Sequence, residues 1–352
     1  MPTDLKTKLE SLLQQRSMEE EELLVQLQQL CDESALAFSK KQQTLPLGTF
    51  LQNQLSKLEN VEQQYMRTDF EDLNSVIGGF TAGELVVLGA RPAMGKTQLL
   101  VNLAVQLSAK QPVLYCSYDL SESALAVRIM SALSGMDGKK IRSQQLPEHE
   151  QAELNRAQED GNKLQLHCYG GLNNGIDALR LLCKQHIAEH GTKVIIVDYL
   201  QLLSSNKPRQ YREAEVSYIS RMLKKIAREE QVCVIAASQL SRSVETRGGD
   251  KIPQLADLRD SGSIEQDADI VFFLYRPEYY GYETEYYGDN AANTHLIIAK
   301  NRNGKTGTVE LRHDQAFARF HSIQNNDPAF KIAMDRLSGL GFEPIPGSES
   351  PF

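Results

Sequence analysis

The sequence predicts an α/β fold with a mainly parallel central sheet flanked by helices, preceded by a short all-helical N-terminal segment. Three observations carry this. From Thr68 onward, apolar β-rich runs alternate with helical stretches, the pattern of strands buried on both faces. The run Leu85–Gly89 leads through a short loop into a helix that opens at Gly95-Lys96-Thr97. Residues 1–64 have a different texture, rich in Leu, Gln, Glu and Lys and poor in Gly and β-branched residues.

In the N-terminal segment, Leu5, Leu9, Leu12 and Leu13 have helical spacing. Ser17-Met18-Glu19-Glu20 reads as a capping box that opens a second helix bearing Leu23, Leu27 and Leu30. Pro46-Leu47-Gly48 breaks the pattern, and a third helix carries Phe50, Leu51, Leu55 and Leu58. These short amphipathic helices need a partner to cover their apolar faces.

Further strands are expected at Val113–Ser117, Val194–Asp198, Val232–Ala237, Ile270–Tyr275 and Leu296–Lys300, with helices from Lys96, from about Glu122 and around Ala214–Glu229. The division is then 1–46 helical segment, 47–65 linker helix, 66–322 main domain, and 323–352 a Pro- and Gly-containing tail expected to end disordered.

The bulk numbers narrow the function classes. At 352 residues there is room for one large domain plus an appendage, or two domains. Apolar content of 41% and charged content of 24% are ordinary for a globular protein. No apolar run reaches the ~18 residues of a membrane span, and Met1–Gln15 lacks a signal-peptide core, so a cytoplasmic protein is expected. The five cysteines are scattered and none lies in a C-x-x-C pair, which argues against zinc. A net charge of −8 argues against a generally basic, nucleic-acid-coating surface, but leaves room for a local basic channel.

The stretch "LVVLGARPAMGKTQLL" is a strand, a phosphate-sized loop and a helix start. Its cradle comprises Ala90, Arg91, Pro92, Ala93, Met94, Gly95, Lys96, Thr97 and Gln98, with Ala90 where a first Gly is usual. Gly95 lets backbone N–H groups wrap a phosphate, and the helix N-terminus adds its positive dipole end. Lys96 is placed for the β- and γ-phosphates and the Thr97 hydroxyl for Mg²⁺, the P-loop arrangement of an ATP-binding protein. "TKVIIVDYLQLL" puts Asp198 at a strand end, where a carboxylate can support the metal. Asp119 follows another strand and either polarises an attacking water or caps the next helix. Gln239, at the end of a fourth strand, is an amide that can contact a γ-phosphate, or a surface-turn residue.

These stretches, together with "ASQLSRSVETR", "DLRDSGSIEQDADIVFFLYR" and "AKNRNGKTGTVEL", resemble in order and spacing the C-terminal motor domain of DnaB-type replicative DNA helicases, which has a RecA-like P-loop NTPase fold. The resemblance covers about residues 66–321. It implies an ATP- and Mg²⁺-dependent helicase of the 5′–3′ class, a homo-oligomer in the form of a hexameric ring, acting on single-stranded or forked DNA.

The resemblance also explains a hairpin that otherwise reads as a solvated turn. Ile297-Ile298-Ala299 ends in Lys300-Asn301-Arg302-Asn303-Gly304-Lys305 before Val309 and Leu311 resume a strand. Lys300 and Arg302 match the family's trans-acting cations, which neutralise charge on a neighbour's γ-phosphate. Lys305 has no such match. Arg259, Asp260 and Gly262 match positions that grip a single-strand backbone, Asp260 orienting Arg259. Arg242, Arg247 and Lys251, with Gly248-Gly249, form a basic loop beside them, and Lys207, Arg209 and Arg212 a candidate second one.

Two departures stand out. The family has Glu where Asp119 stands, one methylene longer, and Glu where Asp260 stands. Only some 65 residues precede the motor, fewer than the family's globular N-terminal domain and linker. They support a second reading, a nucleotide-switched DNA-binding ring with weak or no unwinding. A recombinase-like filament on the same core is a third.

Overall fold

A computed structural model describes residues 45–58, 65–143, 146–171, 173–205, 212–258, 262–282, 292–314 and 318–323. The helices expected over residues 1–44, the cations Lys207, Arg209 and Arg259, Asp260, and the tail beyond 323 lie outside the described residues. The chain divides between residues 62 and 63 into two units. In the first, α1 (Leu47–Leu58) occupies the position expected for the third N-terminal helix, and it starts with a Phe50 N–H to Pro46 carbonyl bond of 2.9 Å.

The second unit contains, in order, α2 (Glu71–Ile77), β1 (Leu85–Ala90), α3 (Lys96–Ser108), β2 (Val113–Ser117), α4 (Glu122–Ser134), α5 (Gly138–Ser143), α6 (Glu148–Gly161), β3 (Leu166–Tyr169), α7 (Ile176–His190), β4 (Val194–Asp198), α8 (Arg212–Glu230), β5 (Cys233–Gln239), α9 (Ser243–Thr246), α10 (Gly262–Asp267), β6 (Ile270–Tyr275), β7 (Thr294–Asn301), β8 (Gly307–Asp314) and β9 (Arg319–Ser322). The strands form one sheet in the order β3-β2-β4-β5-β1-β6-β7-β8-β9. β3 through β6 run parallel, and β7, β8 and β9 are added antiparallel at the β6 side. The expected α/β architecture is therefore present, with an antiparallel extension that the alternation of elements did not predict.

The strand period of two divides β1 between two cores. Val86, Leu88 and Ala90 pack on one face with Leu99, Leu100, Leu103 and Leu107 of α3. Leu85 and Val87 pack on the other with Leu179 and Cys183 of α7 and Ile219, Leu223 and Ile226 of α8. Burial on both sides is why β1, β2, β4, β5 and β6 read as continuous apolar runs. β3 and β9 are four residues each and only partly buried, so neither carries that signal.

Gly89 marks the tightest packing below the loop that follows β1. A Cβ there would lie 2.8 Å from Phe273 Cδ1 and 2.9 Å from Leu240 Cδ2. Gly89→Ala is expected to cost about 1–3 kcal/mol, seen as a lower urea midpoint at unchanged slope.

Candidate nucleotide site and the cation finger

Register sets the site. Ala90 pairs with Gln239, Ser117 with Asp198, and Val197 with Ala236, so β1, β2, β4 and β5 end together at one edge of the sheet. The loop from Ala90 to Gly95 turns there into α3, with Ala93 at φ 63° and Gly95 at φ 97°. The second angle suits glycine, and a Cβ on Gly95 would also come to 3.3 Å from Phe320 Cζ. No side chain caps the first turn of α3, which leaves its N–H groups for an anion. Lys96 Nζ lies 3.0 Å from the Ala90 carbonyl, across the mouth of the loop. Burial pulls the Lys96 ammonium down to about 8, against the attraction of Asp198 and Asp119 and with the repulsion of Arg91.

Asp198 is 1% exposed. Burial raises its pKa, while hydrogen bonds from the Thr97 and Tyr115 hydroxyls and the charge of Lys96 oppose the rise. Tyr115 Oη is 3.0 Å from Asp198 Oδ2. Thr97 and Asp198, both expected to hold Mg²⁺, are thus near enough for the hydroxyl to oppose the rise in the carboxyl's pKa. A hydroxyl and a carboxylate beside an uncapped helix start fit a hard cation with its phosphates.

Asp119 is exposed just past β2 and acts electrostatically on both Lys96 and Asp198. It does not cap α4: that helix is capped by Ser121, whose hydroxyl accepts the Ala124 N–H at 3.3 Å. Gln239 ends β5 beside Ala90. Its backbone is held by Gln201, which sequence reasoning missed. Gln201 Oε1 accepts the Gln239 N–H at 3.1 Å, and Gln201 Nε2 donates to the Gln239 carbonyl at 3.2 Å and to Ser238 Oγ at 2.9 Å.

Arg91 was expected in the cradle, but its side chain turns away from it. It is 6% exposed, donates to the Leu240 carbonyl at 2.7 Å and pairs with Glu245 of α9 at 2.8 Å. It ties the phosphate loop to the segment after β5. Gln98 meets His313 of β8, the ring Nε2 lying 2.7 Å from the Gln98 carboxamide oxygen. His313 stacks on Phe320 with ring centres 4.5 Å apart, so the antiparallel extension supports the cradle from beneath.

The cation finger lies elsewhere. β7 runs antiparallel to β6 and pairs Asn301 with Ile270, the first residue of β6. Val86, near the start of β1, is also beside Ile270. The finger is therefore at the edge opposite the cradle, separated from it by the length of β1, about 16–20 Å at ~3.3 Å per residue. Arg302 Nη1 is 3.3 Å from Asp269 Oδ1 and Nη2 donates to the Gln266 carbonyl at 2.8 Å, with half the side chain exposed. Lys300 Nζ donates to the carbonyls of Glu265 at 2.5 Å and Ala268 at 2.8 Å. Burial and the neighbouring Arg302 lower its pKa. Asp269 is itself fixed by Lys224 and by the Leu85 N–H at 2.8 Å. Lys305 is exposed in the turn.

Among the residues expected on DNA, Arg242 is at the start of α9, and Gly262 is exposed as the first residue of α10. Lys251 sits over the Tyr280 ring, 5.3 Å from its centre. Arg247 is paired inside its own loop, with Asp257 and with the Ile252 carbonyl at 3.1 Å, so here its guanidinium shapes the loop. Arg212, named as a candidate contact, bonds Glu215 and the Gln201 carbonyl.

Residues 66–322 match the family profile described as DnaB-like helicase C terminal domain. The chain is 38% identical over 277 residues to "Replicative DNA helicase DnaC" of Bacillus subtilis (strain 168), covering 76% of this chain and 60% of that protein. It is 37% identical over 260 residues to "Replicative DNA helicase DnaB" of Geobacillus stearothermophilus, covering 73% and 56%. The chain thus spans little more than half the length of the curated relatives it matches. Among solved structures, one described as an ATPase domain superposes with a TM-score of 0.73 at 31% identity, over 80% of this chain and 100% of that one. "The Structure Of A DnaB-Like Replicative Helicase And Its Interactions With Primase" gives 0.70 at 29% identity, over 90% and 76%. With the cradle, the aligned strand ends and the finger in place, these matches make the chain a member of the DnaB-like helicase C-terminal domain family.

Proposed function

We propose that this chain is the motor of an ATP-dependent, ring-forming DNA helicase or translocase, in which hydrolysis at subunit interfaces drives movement along single-stranded DNA. The observation that supports it best is the separation of the finger from the chain's own cradle. Cations held at the far edge of the sheet can serve a triphosphate only if it belongs to another copy. Single-stranded or forked DNA, a homohexameric ring and a cytoplasmic location belong to this reading, as does a linker role for residues 47–65. No helix among the described residues is long and apolar enough to cross a membrane.

In this reading, backbone N–H groups of the loop and Lys96 hold the phosphates, and Thr97 and Asp198 supply oxygens to the metal. Mg²⁺, when held there, would supply positive charge against the phosphates. Asp119 orients the attacking water, and Gln239 senses the γ-phosphate. Arg302, half-exposed, swings from Asp269 and Gln266 to the neighbour's nucleotide. Lys300, held by two carbonyls, steadies the hairpin as it does so. α10 connects this event to DNA: its first residue is Gly262, while the carbonyls of Glu265 and Gln266 bond Lys300 and Arg302. Arg242, Lys251, Arg259 and Gly262 face the phosphate backbone, whose recognition needs no base identity. Arg247 acts there as a loop brace, and Asp260 orients Arg259.

A slower nucleotide-switched ring is the second reading, favoured by the shorter Asp119. A water displaced by about 1 Å can lower a rate about 100-fold.

Arg302→Ala is expected to lower DNA-stimulated ATP turnover about 10³-fold or more, while nucleotide affinity measured by fluorescence changes little. Unchanged turnover would contradict the trans role. Asp119→Glu separates the two readings on a forked duplex. A large gain in both ATPase and strand displacement identifies the native chain as a slow switch. Efficient unwinding by the native chain, with no gain in the variant, identifies it as a helicase.

A further inference from the structure

Three of the chain's seven histidines meet at the sheet edge farthest from the finger. His186 and His190 lie four residues apart on α7, so both face the same way. His167 comes from β3, the edge strand, beside Leu114 of β2. Ring centres are 4.5 Å apart for His167 and His186, 4.2 Å for His167 and His190, and 4.5 Å for His186 and His190. One ligand nitrogen from each ring lies within 4.8 Å of the other two.

The hydrogen bonds of His186 select its tautomer. Its Nδ1 lies 2.5 Å from Thr192 Oγ1, and the Thr192 hydroxyl donates its proton to the His186 carbonyl at 3.3 Å. With the Thr192 proton on that carbonyl, its oxygen accepts the Nδ1–H, the tautomer that leaves Nε2 with a bare lone pair. That Nε2 is buried, with no hydrogen-bond partner among the described residues, on a residue only 8% exposed. A position in the apolar stripe Ile176, Leu179, Cys183 would suit leucine, yet it holds an imidazole whose acceptor is unanswered. Ligating histidines are oriented this way, one ring N–H fixed by an oxygen and the other nitrogen presented to the metal.

We propose that His167, His186 and His190 bind one divalent transition-metal ion of the zinc class, with a fourth position open to water or to Glu189. Three imidazoles suit Zn²⁺. At Zn–N distances of about 2.0–2.1 Å the nitrogens need to close to about 3.4 Å, which the exposed His190 and half-buried His167 can do by ring rotation. Glu189 Oε2 stands 3.8 Å from His190 Nε2 and adds negative charge. The site is separated from the cradle strand β1 by three intervening strands, about 19 Å across the sheet. The metal would clamp β3, paired with β2 on one side, to the end of α7.

The test is titration of the untagged, chelator-stripped full chain with Zn²⁺ alone by calorimetry, alongside melting curves. One ion per chain is expected, with a rise in melting temperature. His190→Gln and His167→Gln should each weaken binding at least about tenfold and abolish the rise. His149→Gln, at an exposed position on α6, should change neither. Circular dichroism identifies folded variants, and His190 is exposed enough for its variant to fold. Affinity weaker than about 0.1 mM, or tight binding that persists in both cluster variants, would overturn the proposal.

Discussion

Asp269 anchors the finger at the starting edge of the parallel strands. Its carboxylate accepts the Leu85 N–H where β1 starts, pairs with Lys224, and holds Arg302. Its carbonyl accepts the Arg302 N–H at 2.8 Å. The phosphate loop lies at the other end of the same strand. Because β7 returns antiparallel to β6, a finger at the end of β7 must emerge at the starting edge of the parallel strands. This geometry holds Arg302 a strand's length from the chain's own phosphate loop, which is the basis for proposing a shared active site. Removing the Asp269 carboxylate would leave the Lys224 ammonium, 18% exposed, with the Gly83 carbonyl but no counter-charge, a costly outcome for a largely buried charge.

The cradle edge is linked to its surroundings by a few contacts. Arg91 reaches from the phosphate loop to Glu245, and Gln201 brackets the Gln239 backbone. Both lead into the segment carrying Arg242, Arg247 and Lys251. On the opposite edge, α10 takes the hydrogen bonds of Lys300 and Arg302 and begins at Gly262. The proposed DNA contacts thus have a hydrogen-bonded connection to the phosphate loop and to the proposed finger.

The parts legible in the sequence were those written locally. The strand, loop and helix around Gly95-Lys96-Thr97 are contiguous, and Asp198 ends an apolar run. Contacts across the chain were not legible. Tyr115 and Asp198 are 83 residues apart, Arg91 and Glu245 154, and Gln98 and His313 215. A sequence cannot distinguish an arginine that faces a ligand from one that faces a carboxylate, which is why Arg91 and Arg247 read as contacts although their guanidinium groups are paired internally. The histidine cluster escaped for a related reason. The i, i+4 pair is visible, but its third member sits on a strand, Leu166-His167-Cys168-Tyr169, too short and too polar to be recognised. Cysteine spacing, the sign by which zinc is most readily read from a sequence, says nothing about three imidazoles.

Mixing two inactive variants tests the shared active site most directly. Lys96→Ala chains lack a working cradle but keep Arg302, and Arg302→Ala chains keep the cradle but lack the finger. In a head-to-tail ring assembled from equal amounts, about a quarter of the interfaces join an intact cradle to an intact arginine. The account predicts that co-assembled mixtures hydrolyse ATP well above either variant alone, with a maximum near equal proportions. Co-assembled rings no more active than their components at every ratio would contradict it.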